Sequence, residues 1–316
     1  MADNIADLEG YDLPMLVFEA TCQIPEGMVS TYGDIAIAMG DVRAARVVGT
    51  ILSSNPRPIV VPCHRVVYGD GRTGWYSGLG KGAERKTELL RGEGVPIADG
   101  VVQEFASRRF RDFKLRPVLK EMQAEQERMS QEVREKDEEH AFAQLVGLDV
   151  SYTGDEAFAA AVIYDMHTGK VEQRFVRTKA KFPYVPSYLG FREVPAVAPL
   201  LQDLKDPLVL VDGQGRLHPR RFGIACHLGV RFDVPSVGVA KSLLSGVVAD
   251  DGWISLDGAR LGKVVSAGGK DYYVSVGNRI TLKGAVEAAA RYLADKESDV
   301  LRQAHVFANK VRRETV

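Results

Sequence analysis

The sequence predicts two domains of different fold class. The first is mainly α-helical with a helix-turn-helix, and the second is an α/β sheet covered by helices. The chain has 316 residues, which is long enough for two domains. Two short helical patterns joined by a glycine turn precede Asn55. From residue 144 onward, three strand patterns are followed by alternating helix and strand patterns, which is typical of α/β sheets. We therefore divide the chain into residues 1–114, a charged helical linker at 115–143, and residues 144–316.

The composition is that of a soluble globular protein, with 45% apolar and 26% charged residues. The net charge of −1 does not by itself indicate nucleic-acid binding. Three cysteines in a chain of this length make no disulfide framework, which favours a reducing cytoplasm. No apolar run is long enough to span a membrane, and no signal peptide opens the chain. We therefore expect a cytoplasmic monomer that does not bind membranes.

The first domain begins with a helical pattern over residues 13–23, followed by a turn at Ile24–Gly27. A second helix is predicted from about Val42 to Ser54, and the residues near Arg46 are small: Ala44, Ala45 and Gly49. Such a helix can approach a DNA groove closely, and Arg46 is long enough to enter the base stack. A close contact between two helices is the alternative interpretation of the small residues.

A thiol and an imidazole stand side by side in Pro62-Cys63-His64-Arg65, after the apolar run Pro58–Val61. This run predicts a short buried strand that ends at the thiol. A thiol becomes a nucleophile when nearby positive charge or a base favours its thiolate, and both neighbours of this kind follow Cys63. A buried structural cysteine is the alternative, and the tetrapeptide alone favours that alternative.

Six motifs lie in order between Ile24 and Gly94: Val29–Gly33, Ala44–Arg46, Asn55–Pro56, Pro62–Val66, Gly74–Gly80 and Glu93–Gly94. In this order and spacing the stretch resembles the active-site domain of the O6-alkylguanine-DNA alkyltransferases. The resemblance implies a helix-turn-helix/winged-helix-like domain that acts on double-stranded DNA with alkylated guanine and needs no cofactor.

The resemblance also implies a nucleophile and its activation. Cys63 would accept the alkyl group irreversibly, so that each molecule acts once. A hydrogen-bonded relay from Glu93 through His64 and a water would make the thiolate available. For Glu93, a solvated charge at a helix end is the alternative.

Contacts with the DNA follow from the same resemblance. Arg46 would fill the gap left by a flipped nucleotide. Tyr32 and Ser77 would bond to the guanine and help to neutralise it as a leaving group. Val66 would supply a backbone acceptor for the base, and Asn55 would brace the turn.

One feature departs from the alkyltransferase pattern, because only a short lead precedes the active-site domain where most members have a further domain. This compact form resembles the alkyltransferase-like proteins, which bind lesions without repairing them. Those proteins lack the cysteine that this chain carries as Cys63. We therefore expect alkyl transfer.

Residues 115–143 contain many charged side chains around one apolar helical stripe: Leu115, Val118, Leu119, Met122, Met129 and Val133. This pattern predicts a solvated connecting helix. A coiled-coil surface is the alternative, but the stripe is short for one.

Two predicted strands of the second domain contain or end in an acid. Asp149 interrupts the apolar run Leu145–Tyr152, and Asp212 ends the run Pro207–Gly213. An acid inside a buried strand is costly unless it is paired or binds metal. The strand order could place the two acids on neighbouring strands, within reach of Glu193 on a helix. Three carboxylates suit Mg²⁺ (or Mn²⁺) and metal-dependent phosphodiester hydrolysis.

Further motifs span nearly the whole second domain: Gly147–Tyr152, Phe182–Pro186, Phe191–Glu193, Val211–Gly215, His218–Arg221 and Gly238–Ser242. Together they resemble endonuclease V, a ribonuclease-H-like α/β nuclease of deaminated bases. The resemblance implies that Asp149, Glu193 and Asp212 are metal-site acids, with Lys241 steadying the scissile phosphate.

Other implied roles concern the DNA around the lesion. The segment Pro183-Tyr184-Val185-Pro186 would be a wedge that separates the strands, and His218 would lie close to the metal site. The flipped hypoxanthine would enter a pocket where backbone groups read it. The family usually has a histidine near the metal where this chain has Asn278. An amide binds water but shuttles no proton at neutral pH, so rate and metal preference would change.

We therefore predict a bifunctional DNA-repair protein: a suicidal methylated-DNA-[protein]-cysteine S-methyltransferase joined to a deoxyinosine 3′ endonuclease. Two alternatives remain open at this point. The first domain could be a non-enzymatic lesion sensor that tethers the nuclease. The nuclease could also act on inosine in RNA, in which case a contact with the ribose 2′-OH would be needed.

Overall fold

The computed structural model describes residues 11–76, 82–138, 141–295 and 297–315. These residues form two compact units: the first extends to Met122 and includes Tyr184–Pro186, and the second consists of Gln123–Pro183 and the residues from Ser187 onward. The first unit is mainly helical and the second contains a large mixed sheet, as the sequence predicts. In the described part of the chain, every helix is too short or too polar to cross a membrane.

Three short helices open the first unit: α1 at Leu13–Cys22, α2 at Tyr32–Ala38 and α3 at Ala45–Ser53, with a 3₁₀ turn at Val42–Ala44 before α3. The side chains of Asp12 and Thr31 accept hydrogen bonds from the first turns of α1 and α2, which fixes where these helices begin. Gly40 makes the turn between α2 and α3 with a φ of 108°. A Cβ there would lie 2.5 Å from the backbone nitrogen of Lys120, so the turn requires glycine.

The rest of the first unit consists of short elements: β1 at Ser30–Thr31, β2 at Val66–Val67, α4 at Ala83–Gly92, β3 at Ile97–Ala98, β4 at Val101–Val102 and α5 at Phe105–Arg108. Strands β1 and β2 pair in parallel. The strand predicted at Pro58–Val61 is wrong. The backbone turns back there, with Val61 N–H bonded to the carbonyl of Arg57 and Ile59 at a φ of 76°. Cys63–Arg65 then forms a 3₁₀ turn immediately before β2.

Helix α6 spans Val118–Ser130. The prediction that this helix is solvated is wrong. Leu119 and Met122 are completely buried, and Met129 packs against Phe222 and Cys226. The apolar stripe seen in the sequence is therefore packed against protein.

Nine strands form one sheet among the described residues of the second unit: β5 at Gln144–Thr153, β6 at Glu156–Asp165, β7 at Val171–Lys179, β8 at Pro207–Val211, β9 at Ser236–Ala240, β10 at Val247–Val248, β11 at Trp253–Leu256, β12 at Ala259–Ala267 and β13 at Lys270–Asn278. Their order is β10-β11-β12-β13-β9-β8-β5-β6-β7. Strands β5, β8 and β9 are parallel neighbours at the centre, and Leu148 lies opposite Val211. This register places Asp149 and Asp212, each one residue further along, side by side as predicted.

The helices of the second unit are α7 at Leu189–Val197, α8 at Ile224–Arg231, α9 at Leu282–Ala294 and α10 at Val300–Thr315. Helices α7 and α8 pack on one face of the sheet, and α9 and α10 pack on the other. Gly147 lets α10 approach β5, because a Cβ at this position would lie 2.3 Å from the carbonyl oxygen of Val300. The sequence patterns did not predict β10, β11, β12 or α10.

Two candidate active sites

The first candidate site surrounds Cys63, whose side chain is buried at the 3₁₀ turn before β2. Asn55 Nδ2 lies 3.2 Å from Cys63 Sγ and also donates to the carbonyl oxygen of Val61 at 3.0 Å. Asn55 therefore holds the turn, as predicted, and points an N–H group at the sulfur.

Glu93 and Arg65 orient the imidazole of His64. His64 Nε2 lies 2.7 Å from Glu93 Oε1, and Arg65 binds both oxygens of the same carboxylate. Hydrogen bonds from Arg65 and His64 lower the pKa of Glu93 although its burial opposes this shift. The carboxylate is therefore ionised and accepts a hydrogen bond from Nε2–H of His64. Glu93 is thus not a solvated charge at a helix end, which was the alternative.

The other ring nitrogen of His64 is then available as a base. Nδ1 is buried and has no hydrogen-bond partner among the described residues. Burial lowers the pKa of His64 even though Glu93 raises it, so the neutral ring dominates at neutral pH. With its proton on Nε2, the ring presents a lone pair at Nδ1 that can receive the thiol proton of Cys63 through a water.

Lys86 belongs to this site and was missed in the sequence. Its side chain is 1% exposed, and Nζ donates to the carbonyl oxygen of Val66 at 2.6 Å. Burial lowers the pKa of Lys86 to about 8, while the nearby Cys63 opposes that shift. A buried lysine is rare unless it serves a site, but in the sequence it looks like one more charge on a solvated helix.

A cleft of about 790 Å³ runs along α3 and is lined by Tyr32, Arg46, Gly49, Tyr68 and Trp75, among others. Its volume is suitable for a flipped base. Burial, with Tyr68 and Cys63 nearby, raises the pKa of Tyr32 to about 12, so its hydroxyl keeps its proton and can donate. Arg46 is exposed on α3, where it could reach DNA. Ser77, which was also predicted to contact the base, lies outside the described residues.

The second candidate site is a cluster of Asp149 on β5, Asp212 immediately after β8 and His305 on α10. Each offers one possible ligand atom, and these atoms lie within 4.8 Å of one another. Burial raises the pKa of Asp149, and the neighbouring Asp212 raises it further. Two carboxylates at this distance repel each other, and oxygen donors of this kind fit Mg²⁺ or Mn²⁺. His305 lies on α10, with Nδ1 3.0 Å from Asp149 Oδ2.

Lys241 and Glu193 flank the cluster. Lys241 follows β9 and forms an ion pair with Asp212. Glu193 on α7 accepts a hydrogen bond from the Tyr152 hydroxyl at 3.2 Å. Burial raises the pKa of Glu193 to about 8, with Asp149 contributing, so the three acids share one electrostatic environment. Arg192 stacks on Tyr152 at 4.2 Å and donates to the carbonyl oxygen of Phe182, which ties the segment before Pro183 to this site.

Family models match both units of the chain. A model of the endonuclease V family matches residues 127–306, and a model described as 6-O-methylguanine DNA methyltransferase, DNA binding domain, matches residues 13–95. A bifunctional methyltransferase/endonuclease of Picrophilus torridus is 33% identical over 309 residues, covering 98% of this chain and 100% of the relative. The chain belongs to the bifunctional methyltransferase/endonucleases.

A second member of this family, from Thermoplasma volcanium, is 34% identical over 307 residues and covers 97% of this chain and 91% of the relative. The crystal structure of endonuclease V from Streptomyces avermitilis covers 62% of this chain and 93% of that chain, with 31% identity and a TM-score of 0.56. The methyltransferase/endonuclease therefore has the α/β fold of endonuclease V in its second unit.

Two further residues with predicted roles in the methyltransferase/endonuclease are hydrogen-bonded to the protein backbone. His218 Nε2 bonds to the carbonyl oxygen of Ser187, and its Nδ1 accepts from the backbone N–H of Arg220. Both ring nitrogens have protein partners, so His218 organises the loop that follows β8 and offers no ligand atom to the cluster. Asn278 is paired with Ser236 at the start of β9, whereas Lys241 follows the end of β9. Five strand residues separate the two ends by roughly 16 Å.

The inference that Asn278 occupies a place near the metal is therefore wrong. Its amide is buried, receives the backbone N–H of Arg134 at 2.9 Å and donates to the carbonyl oxygen of Gly229 at 2.8 Å. The imidazole near the acids is that of His305. Its signal in the sequence was the helical spacing of Val300, Leu301, Ala304, Ala308 and Val311, which places His305 on the first half of a helix.

The segment proposed as a wedge is partly exposed. The side chain of Tyr184 is 60% exposed, whereas Val185 is buried. An exposed aromatic side chain between two prolines suits insertion into a base stack, so the role of this segment stays a prediction.

Replacing Asn278 with alanine is expected to destabilise the protein without changing its metal preference. Both backbone groups that the amide satisfies would lose their partner, which costs about 2 kcal/mol. Calorimetric unfolding and titration with Mg²⁺ and Mn²⁺ measure the two effects. An altered preference between the two cations would contradict the structural role assigned to Asn278.

Proposed function

We propose that the chain repairs two kinds of damaged base in double-stranded DNA. The first unit transfers an alkyl group from O6 of guanine to Cys63. The second unit, with Mg²⁺ or Mn²⁺, cleaves the second phosphodiester bond on the 3′ side of deoxyinosine. The families that match the two units act as a methyltransferase and an endonuclease, which supports this assignment of substrates.

The alkyl transfer is a displacement at carbon. The Cys63 thiolate forms a bond to the alkyl carbon, the bond from that carbon to O6 breaks, and its electron pair stays on the guanine. His64 takes the thiol proton through a water, and the Tyr32 hydroxyl donates to the departing guanine. His64 Nδ1 has no partner among the described residues while Nε2 is fixed by Glu93, and this observation carries the proposal. The new thioether bond leaves no route back to the thiol, so each molecule acts once.

The nicking reaction depends on the acids of the central sheet. A bound divalent cation would supply a Lewis acid and lower the pKa of a water. Asp149 and Asp212 would hold the cation, and Glu193 would contribute a third carboxylate beside them. Lys241, held by Asp212, would place its positive charge at the scissile phosphate. The clustering of Asp149, Asp212 and His305 within 4.8 Å carries this half of the proposal.

Replacing Arg46 with alanine tests the role of α3. If Arg46 fills the gap left by the flipped nucleotide, the variant is expected to repair duplex DNA about tenfold or more slowly, because unstacking costs a few kcal/mol. Its reaction with a free O6-benzylguanine base is expected to be unchanged, since no base must leave a stack. Single-turnover rates on both substrates measure the difference.

Arg43 provides a matched control for this experiment. It lies in the turn before α3 and pairs with Asp41, and its replacement by alanine removes an equal charge. Arg43→Ala is expected to affect both substrates little. Equal losses on duplex and free base for Arg46→Ala would show that Arg46 serves the fold and not the DNA.

A further inference from the structure

Hydrogen bonds between four polar side chains connect strand β5 to helix α10. Asp149 and Ser151 are two residues apart on β5, and His305 and Asn309 are one turn apart on α10. His305 Nδ1 lies 3.0 Å from Asp149 Oδ2, and Ser151 Oγ donates to Asn309 Oδ1 at 3.2 Å. Asn309 Nδ2 lies 3.3 Å from His305 Nε2, so the two side chains of α10 also contact each other. Ser151 and Asn309 have no role in the function proposed above.

The orientation of the Asn309 amide follows from its bond to the helix backbone. Nδ2 lies 2.9 Å from the carbonyl oxygen of His305, which can only accept. The amide nitrogen must therefore lie on this side and the amide oxygen on the side of Ser151. Ser151 is 7% exposed and donates its hydroxyl proton to that oxygen, which adds a second hydrogen bond to the amide in this orientation.

This orientation determines the tautomer of His305. The second hydrogen of Nδ2 points at Nε2, so a neutral imidazole must have its lone pair on Nε2 and its proton on Nδ1. Nδ1–H then donates to Asp149 Oδ2. A ring that bound a cation through Nδ1 would need its proton on Nε2, where it would face the N–H group of Asn309.

We propose that Ser151 and Asn309 are positioning residues that hold His305 as an Nδ1–H donor to Asp149, so that the imidazole acts on the cation through Asp149 and does not ligate it. This inference rests on the proposed metal-dependent nuclease. Mutation of residues that orient a metal-site group in this way typically weakens metal binding by about ten- to a hundredfold.

The test is imidazole ¹⁵N NMR of the full-length chain, without cation and at mildly alkaline pH. His305→Gln identifies the His305 signals by their loss. His305 is expected to show a protonated Nδ1 and an unprotonated Nε2, and to keep this pattern when Mg²⁺ is added. In Asn309→Ala the form protonated on Nε2 is expected to gain population, and Ser151→Ala is expected to shift the pattern in the same direction.

Calorimetric titration with Mn²⁺ supplies the second measurement. Asn309→Ala is expected to bind Mn²⁺ about ten- to a hundredfold more weakly. Val306→Ala is the matched control on α10, since Val306 is 59% exposed next to His305, and it is expected to change neither the spectrum nor the affinity.

Three results would overturn the proposal. They are a native His305 protonated on Nε2, a move of the proton to Nε2 when Mg²⁺ binds, and an Asn309→Ala variant with the native spectrum and affinity. Any of these with normal nicking of deoxyinosine DNA would refute the positioning role alone. Absence of nicking by the wild-type protein would instead refute the proposed nuclease.

Discussion

Asp149→Asn is expected to reduce nicking of deoxyinosine-containing duplex DNA by at least about a thousandfold at saturating Mg²⁺. The variant keeps the shape of the side chain but loses the charge that holds the cation, and cation stabilisation of phosphodiester hydrolysis amounts to several kcal/mol. Alkyl transfer to Cys63 is expected to be unchanged, because displacement at carbon needs no cation. A gel assay for nicking and intact-mass analysis, run on the same sample, measure both activities.

The folded state of this variant is expected to be at least as stable as that of the wild type without cation. Burial and the neighbouring Asp212 already disfavour the charged form of Asp149. A neutral amide at this position therefore removes an unfavourable contribution to the free energy of folding. Asp155→Asn is the matched control, because Asp155 is exposed in the turn between β5 and β6. If Asp149→Asn nicked at the wild-type rate with Mg²⁺, the assignment of the metal site would be wrong.

Cys63→Ser is expected to eliminate the transfer of alkyl groups to the protein. The wild-type chain should gain the mass of one methyl group from a duplex with O6-methylguanine, and the variant should gain none, because a serine hydroxyl is a far weaker nucleophile than a thiolate. Nicking of deoxyinosine DNA is expected to be unchanged. Intact-mass spectrometry after incubation with excess duplex measures the transfer.

Cys22 offers the control for this experiment, since it is an exposed thiol in the same unit. Cys22→Ser is expected to gain one methyl group as the wild type does. A wild-type protein that binds the lesion tightly with unchanged mass would show that the first unit is a lesion sensor.

Much of the second unit was predictable because its central strands are apolar runs interrupted by acids. An acid in the buried run of β5 and another at the end of β8 are costly without a partner, and this cost pointed to the metal site. The parallel pairing of β5 with β8 then brought the two acids together. The local pattern and the tertiary structure agree in this region, so sequence reasoning succeeded.

Helix α10 was missed although its sequence pattern is amphipathic. Its buried face consists of Val300, Leu301, Ala304, Ala308 and Val311, and polar side chains surround them. The helix itself could therefore have been predicted from its spacing. The position of His305 beside Asp149 depends on how α10 packs on β5, which no local pattern encodes. The resemblance to endonuclease V gave Asn278 a place near the metal, and only the strand register shows that it lies at the far end of β9.

The environment of Cys63 shows a similar limit. Ile59 adopts a φ of 76°, which β-branched residues rarely do, and this turn replaces the predicted strand. Lys86 is next to Arg85 in the sequence and resembles it, yet Lys86 is buried and Arg85 is not. The difference comes from the tertiary fold, which places the carbonyl oxygen of Val66 within reach of Lys86.

The central claim is that one chain carries two independent repair reactions, and a single experiment tests it most directly. The wild-type protein is incubated with a duplex that contains both O6-methylguanine and deoxyinosine, with Mg²⁺ or with EDTA. Intact mass and strand cleavage are then measured in each sample. The structure predicts a gain of one methyl group in both samples and nicking only with Mg²⁺. An unchanged mass, nicking that persists in EDTA, or loss of both activities in EDTA would contradict this account.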